Sequence, residues 1–330
     1  MSAATPPLLE VSHLRVEFPT RRGTLVAVDD VSFSIAPGEI LGVVGESGAG
    51  KSLTGAAIIG LLDPPGRIAG GEIRFEGARI DQLPYEDMRK LRGRRIGAIF
   101  QDPLTSLDPL YTVGQQLVET IRTHVELGAA EARRRAVRLL QDTGIPAAEE
   151  RLDQYPHQFS GGMRQRVVIA LALAGEPRLI VADEPTTALD VSIQAQIIAL
   201  LKRLCREHGS AVMLVTHDMG VIAETCDRVA VMYAGRVVEI GPVAEVIHAP
   251  AHPYTAGLMG SIPAMDEDRP RLLQIDGAMP RLNAIPPGCA FHPRCPRVFA
   301  PCMQSRPELM TAGATRAACW LHAPALQAAA

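Results

Sequence analysis

Eight residues have the types and spacing to cradle a phosphate. Gly45-Glu46-Ser47-Gly48-Ala49-Gly50-Lys51-Ser52 fits the pattern G-x-x-x-x-G-K-[ST]. The chemistry asks several consecutive backbone N–H groups to turn inward around phosphate oxygens, and this needs residues that take unusual φ/ψ without a Cβ in the way. Gly45, Gly48 and Gly50 have that freedom. Lys51 would reach the β- and γ-phosphates as a point charge, and Ser52 would offer its hydroxyl to Mg²⁺. The helix that begins there, with Leu53 in its first turn, would aim its positive end at the anion. A glycine-rich turn that binds nothing is the plainer reading, and the flanking elements disfavour it.

A second element is acidic. Leu179-Ile180-Val181-Ala182-Asp183-Glu184 is an apolar run that ends in two carboxylates. A strand buried on both faces ends at the carboxyl edge of its sheet, where α/β folds place ligands. Asp183 would hold Mg²⁺ there, and Glu184 would orient and deprotonate an attacking water. Two adjacent carboxylates cost desolvation energy unless a cation is near, and the Mg²⁺ of a nucleotide is such a cation.

The elements that must position these residues follow from periodicity. Residues 39–44 read as a buried strand and 52–62 as a helix, so the glycine loop joins strand to helix. Before them, 8–18 and 26–35 alternate apolar and polar residues and read as two antiparallel strands around a polar turn. After them, 71–75 and 96–100 read as strands around a basic helix at 85–92. Residues 113–126 and 129–143 have helical spacing between turn signals, which marks a helical insert over about 102–176. Strands at 179–182, 211–216 and 229–233 alternate with helices at 162–174 and 192–207, the pattern of a mainly parallel sheet covered on both faces. A hairpin at 228–240 is expected to close this domain. Beyond residue 263 the composition shifts to Pro, Arg and Cys. The expected domains are therefore 1–262 and 263–330.

Composition narrows the class of function. With 33 basic and 36 acidic residues among 330, the formal charge is −3, so nothing in the balance offers a footprint for nucleic acid. No apolar run approaches the roughly 18 residues that cross a bilayer, and the first seven residues lack the features of a secretory signal. A cytosolic chain is expected. Aromatic residues make up only 4%, so a core must be built from Leu, Ile, Val and Ala.

Ser160-Gly161-Gly162-Met163-Arg164-Gln165 then carries a resemblance. With the two elements above, it matches the signature S-G-G-x-x-Q, and the chain resembles the nucleotide-binding subunits of ATP-binding cassette (ABC) transporters. The resemblance implies an α/β fold of the P-loop NTPase type, with a mainly parallel sheet core, an antiparallel β subdomain and an inserted helical subdomain. It implies ATP and Mg²⁺ as ligands. It also implies that Ser160, Gly161 and Gly162 meet the γ-phosphate held by an opposite subunit, so that one chain carries two half-sites. By the same resemblance Gln101 senses Mg²⁺ and water, Asp190 contacts the opposite subunit, His217 contacts the γ-phosphate, and Phe18 stacks on adenine.

Four cysteines narrow the family further. Cys289, Cys295, Cys302 and Cys319 form C-x5-C-x6-C-x16-C in a Pro-rich tail with little expected core. The spacing lacks the paired C-x2-C knuckles of a zinc ribbon, and the prolines beside Cys295 and Cys302 favour an iron–sulfur centre, a [4Fe-4S] cluster, over zinc. Free or disulfide-bonded thiols are the third option. Nothing in the sequence places these cysteines near the phosphate elements. Cys205 and Cys226 read as inert core residues. The tail is similar to the C-terminal extension of ATPase subunits of dipeptide and oligopeptide importers, whose relatives include nickel importers; Phe100-Gln101-Asp102-Pro103 and the run from Tyr155 to Arg166 support the match. Phe159 stands where Leu is usual, and Met163 resembles the first (D-type) of the two ATPase subunits of these importers.

The expected function is therefore ATP hydrolysis coupled to uptake of di- or oligopeptides, at the cytoplasmic face of the membrane. The implied partners are a second ATPase subunit, two membrane permease subunits and an extracytoplasmic solute-binding protein. A nickel or other small-solute importer is the alternative cargo. A soluble ABC ATPase acting on nucleic acid or ribosomes is the rival class, disfavoured by the single cassette and the absence of a basic stripe.

Overall fold

The computed structural model describes residues 6–187, 189–261 and 274–323. The boundary expected between residues 262 and 263 therefore lies outside the described residues.

In chain order, β1 (Leu9–Thr20) and β2 (Gly23–Ile35) are joined by the two-residue turn Arg21-Arg22. β3 (Ile40–Val44) is buried at every position and leads into α1 (Lys51–Ile58). This helix is shorter than its apolar pattern suggests because Gly60 takes φ 65. The Leu61 N–H then returns to the Ala56 carbonyl at 2.9 Å and the Gly60 N–H to Ala57 at 3.2 Å, the closure that satisfies orphan carbonyls at a helix end. β4 (Arg67–Phe75), β5 (Ala78–Arg79), α2 (Tyr85–Leu91) and β6 (Ile96–Ile99) follow. The insert supplies α3 (Val113–His124), α4 (Ala129–Asp142), α5 (Ala148–Arg151) and α6 (Gly161–Leu173). Thr112 and Gln115 cap α3 reciprocally, which fixes where it begins. Next come β7 (Leu179–Asp183), α7 (Val191–His208), β8 (Ala211–Val215), α8 (Met219–Thr225), β9 (Arg228–Tyr233) and β10 (Arg236–Pro242). The remaining elements are α9 (Val243–His248), α10 (Pro253–Gly260), α11 (Ala300–Gln304), β11 (Met310–Ala312) and β12 (Thr315–Ala317).

The chain forms two compact units. The first comprises residues up to 9, 35–40 and 75–215; the second comprises 10–34, 41–74 and 216 onward. In the first, β6, β7 and β8 run parallel, with Ile96 opposite Leu179 and Leu179 opposite Ala211. All of β8 is buried, as a parallel strand covered on both faces requires. Helices α3, α4 and α6 pack together through buried positions such as Leu117, Ile121, Ala136 and Leu140.

In the second unit β1 lies between β2 and β4. β3 runs parallel to β9, with Leu41 opposite Arg228, and β9 turns back into antiparallel β10 at Ala234-Gly235, φ 47 and 78. Two positive φ values in a two-residue loop match the twist of a hairpin. The hairpin does not close the sheet. β12 pairs with β10, Glu239 opposite Ala317, and β11 pairs with β12. The tail thus covers an edge that β10 would leave unpaired. Its cysteines also have a core to fill: Phe291, Cys302, Ala317 and Cys319 are all buried. Phe291 joins Tyr233 and Tyr254 with ring centroids 5.2 and 5.4 Å away. Among the described residues no helix is long and apolar enough to cross a membrane.

Candidate nucleotide site and cysteine lobe

The phosphate loop belongs to the second unit. Gly45, Gly48 and Gly50 take φ 152, 82 and 98, conformations that a Cβ disfavours. A Cβ at Gly45 would also overlap the Met232 carbonyl oxygen. Gly50 is the N-cap of α1 and leaves its positive end facing the loop without a capping side chain of its own. Lys51 is buried. Its Nζ donates to the carbonyl oxygens of Gly45 at 2.8 Å and Glu46 at 3.1 Å, folding the ammonium over the loop. Ser52 is exposed beside it, Ala49 is fully buried, and Leu53 is half-buried. The Thr216 N–H donates to the Val43 carbonyl at 3.2 Å. This ties exposed His217 to the end of the strand from which the loop springs. Phe18 is half-buried on β1, with its ring so close to Gly66 that a Cβ there would lie 2.7 Å from it.

The first unit holds the acidic element and the signature. Asp183 ends β7 opposite Val215, and the Glu184 N–H donates to the Val215 carbonyl at 2.9 Å. Glu184 takes φ 45, a left-handed backbone that costs a non-glycine residue on the order of 1 kcal/mol. Its carboxylate accepts from the Thr187 hydroxyl at 2.8 Å and the Gln101 amide at 3.3 Å. The structure thus brings together Gln101 and Glu184, which are 83 residues apart. Ser160 caps α6 by accepting the Met163 N–H at 3.4 Å, and Ser160 and Gly161 are exposed. A Cβ at Gly162 would press on Ile193. Asp190 caps α7 without using its side chain, and Val191 next to it is 83% exposed.

Ser52 and Asp183 offer hard oxygen donors, as does the amide oxygen of Gln101, which is the donor chemistry Mg²⁺ prefers. The cysteine lobe is different. Cys289, Cys295, Cys302 and Cys319 line one cavity with His252, His292 and Trp320, and all four thiols are free. Burial pushes Cys289 and Cys295 up and Cys319 up to about 11, so these three thiols are neutral while no cation is beside them. Among the described residues no three His, Cys, Asp or Glu side chains are placed to hold a metal ion. The structure brings the four cysteines of the iron–sulfur expectation to one cavity without placing them as a metal-ligand set. The rings of His292 and His322 are engaged by the Cys289 and Ala251 carbonyls at 2.9 Å each.

The cysteine lobe reaches the phosphate loop through Arg294 on Glu46, a juxtaposition that nothing in the sequence signals. Sequence reasoning missed Arg294, Tyr254, Tyr233, Glu239 and His252. The signal available was the scarcity of aromatic residues, three of which gather at this one junction.

The family model described as ABC transporter matches residues 28–187, and that of the oligopeptide/dipeptide transporter C-terminal region matches 238–302. A putative peptide import ATP-binding protein of Brucella abortus is 47% identical over 97% of this chain and 96% of its own length. The oligopeptide transport ATP-binding protein OppD of Salmonella typhimurium is 49% identical over 94% and 92%, and the dipeptide transport ATP-binding protein DppD of Bacillus subtilis 48% over 96% and 95%. Among solved structures, the dimeric post-hydrolysis state of the ATP-binding cassette MJ0796, bound to ADP and Pi, is 30% identical. That match has a TM-score of 0.64 and covers 71% of this chain and 98% of that one. With the glycine loop, the acidic strand end and the serine-capped signature helix all formed, the chain belongs to the ABC transporter ATP-binding proteins, in the branch that carries the oligopeptide/dipeptide transporter C-terminal region.

Proposed function

We propose that this chain is the ATP-binding and hydrolysing subunit of an importer for di- and oligopeptides, with a cassette over about residues 1–262 and an extension over 263–330. The observation that carries the reading is the presence, in one chain, of a complete set of nucleotide-handling elements and the extension shared end to end with peptide-import relatives. Phosphoryl transfer through a loose transition state asks for positioning and charge stabilisation rather than covalent chemistry. The loop amides beyond Glu46, with Lys51, take the phosphates, and Phe18 takes the adenine. Ser52, Asp183 and Gln101 are the residues that would hold Mg²⁺, which when bound would supply charge neutralisation for the phosphates. Glu184, steered by Thr187 and Gln101, aligns and deprotonates water, and His217 meets the γ-phosphate. Ser160, Gly161 and Gly162 serve the site of a second ATPase subunit, and exposed Asp190 and Val191 lie at that contact.

The subunit works beneath two membrane subunits and receives peptide through an extracytoplasmic binding protein. Phe100, Leu104, Leu110 and Tyr111 are exposed large apolar residues following β6, a patch that suits docking to another protein, and they support a peripheral place at the inner face of the membrane. Met163 supports a heterodimer in which this chain is the D-type member. The test is Glu184→Gln in the assembled transporter. ATP binding should persist while turnover falls roughly 10²- to 10⁴-fold; turnover equal to wild type removes Glu184 from this role, and stimulation by nickel but not by peptides overturns the cargo. A [4Fe-4S] centre is supported by the convergence of four thiols and requires them to rearrange from their present positions. Iron and acid-labile sulfide assays on protein purified without air decide between cluster, zinc and free thiols.

A further inference from the structure

Glu46 is the first residue after Gly45 in the phosphate loop, and both its ends are held from the far C-terminal part of the second unit. Its carboxylate accepts from Arg294 Nη1 at 3.0 and 3.1 Å, and its N–H donates to the Tyr254 hydroxyl at 2.9 Å. Arg294 has no donor to spare. Nη1 also reaches the Tyr233 hydroxyl at 3.3 Å, Nε donates to the Asp276 carbonyl at 2.8 Å, and Nη2 donates to the carbonyls of Ile275 and Gly277 at 3.3 and 3.5 Å. The guanidinium also lies 5.8 and 6.0 Å from the ring centroids of Tyr233 and Phe291. Its side chain is 8% exposed, so this charge-assisted contact is shielded from the water that weakens surface pairs. The residue next to Arg294 is Cys295, one of the four that line the thiol cavity.

The same Glu46 offers its carbonyl to Lys51 Nζ at 3.1 Å. The position of Glu46 therefore decides part of the cradle that Lys51 must leave or keep when phosphates enter. We propose that Arg294 is a positioning residue for nucleotide: through Glu46 it holds the first turn of the phosphate loop in its binding shape, and it couples nucleotide affinity to the order of the cysteine lobe. The coupling is reciprocal by linkage, so nucleotide must in turn order the lobe. This rests on the reading above only in taking ATP as the ligand of the loop.

The test uses the full chain. Binding of a fluorescent ATP analogue with Mg²⁺ is measured for wild type, Arg294→Ala, Arg294→Lys and Glu46→Gln, and amide hydrogen exchange of residues 287–302 is followed with and without Mg²⁺-ATPγS. Arg294→Ala should raise Kd about 10-fold or more, the worth of a buried charge-assisted hydrogen bond. Lys, which keeps the charge but loses the fork, should fall between. The double variant Arg294→Ala/Glu46→Gln should bind no worse than Arg294→Ala alone. Nucleotide should slow exchange in residues 287–302 of wild type and not of Glu46→Gln. In the assembled transporter KM for ATP should rise with kcat little changed, a split that general misfolding does not produce. Unchanged affinity in Arg294→Ala, additive losses in the double variant, or exchange in the lobe indifferent to nucleotide each overturn the inference. Failure of wild type to bind nucleotide would instead overturn the ATPase reading.

Discussion

Lowering the pH should loosen the C-terminal lobe through one histidine. His252 is 1% exposed, and burial, with His322 nearby, pulls its pKa from 6.5 down to about 3. Its Nδ1 accepts the Tyr254 N–H at 3.0 Å, while Nε2 has no hydrogen-bond partner among the described residues. The Glu239 carboxylate is occupied by the N–H groups of Ala251 and His252 at 2.8 and 2.9 Å, and Arg297 and His292 line the same cavity. The folded ring therefore stays neutral, while the unfolded ring takes a proton below pH 6.5. Stability from this group is complete above pH 6.5 and is lost progressively as pH falls toward 3. Between pH 7.5 and 5 the unfolded state gains nearly 1.5 pH units of titration, which at about 1.4 kcal/mol per unit gives about 2 kcal/mol. His252→Asn removes the titration and keeps an acceptor at the helix N-cap. Urea unfolding can be followed by the fluorescence of Trp320, the only tryptophan, whose indole N–H donates to Ser305 O in this lobe. Wild type should lose about 2 kcal/mol more than His252→Asn over that range. Parallel pH profiles for the two proteins would refute the reasoning.

Gly45→Ala combines a φ of 152 with overlap on the Met232 carbonyl, so strain on the order of 1–3 kcal/mol falls on the loop. Nucleotide affinity should drop at least 10-fold by fluorescence titration, and an unchanged Kd would contradict the cradle. Burial pushes the Cys205 thiol up to about 12, so iodoacetamide at pH 8 should leave it unmodified in native protein and label it after unfolding. Mass mapping that finds Cys205 labelled in the native state would show that its helix opens.

The local chemistry was legible because it is local. The turn from β3 to α1 follows from three glycines and a lysine at fixed spacing, and the carboxylates of Asp183 and Glu184 stand at a strand end wherever that strand packs. Periodicity extends helix α1 four residues too far because Gly60 is an ordinary residue in a periodicity count and a stop signal only once its φ is positive. The composition of the tail signals a separate piece with little core. Its strands are three residues each, too short to show alternation, and they exist because β10 offers an unpaired edge.

The amino-acid sequence by itself determined that this chain cradles a nucleotide, ends a buried strand in two carboxylates and carries a glycine-rich signature before a helix. Each of these needs only neighbouring residues and the hydrogen-bonding habits of the backbone. Tertiary structure alone decided that Gln101 reaches Glu184, that four thiols spread from Cys289 to Cys319 share one small cavity, and that Arg294 grips Glu46 across 248 positions. Such pairings are set by which buried charges and rings find each other when the sheet assembles, and sequence spacing carries no trace of that choice.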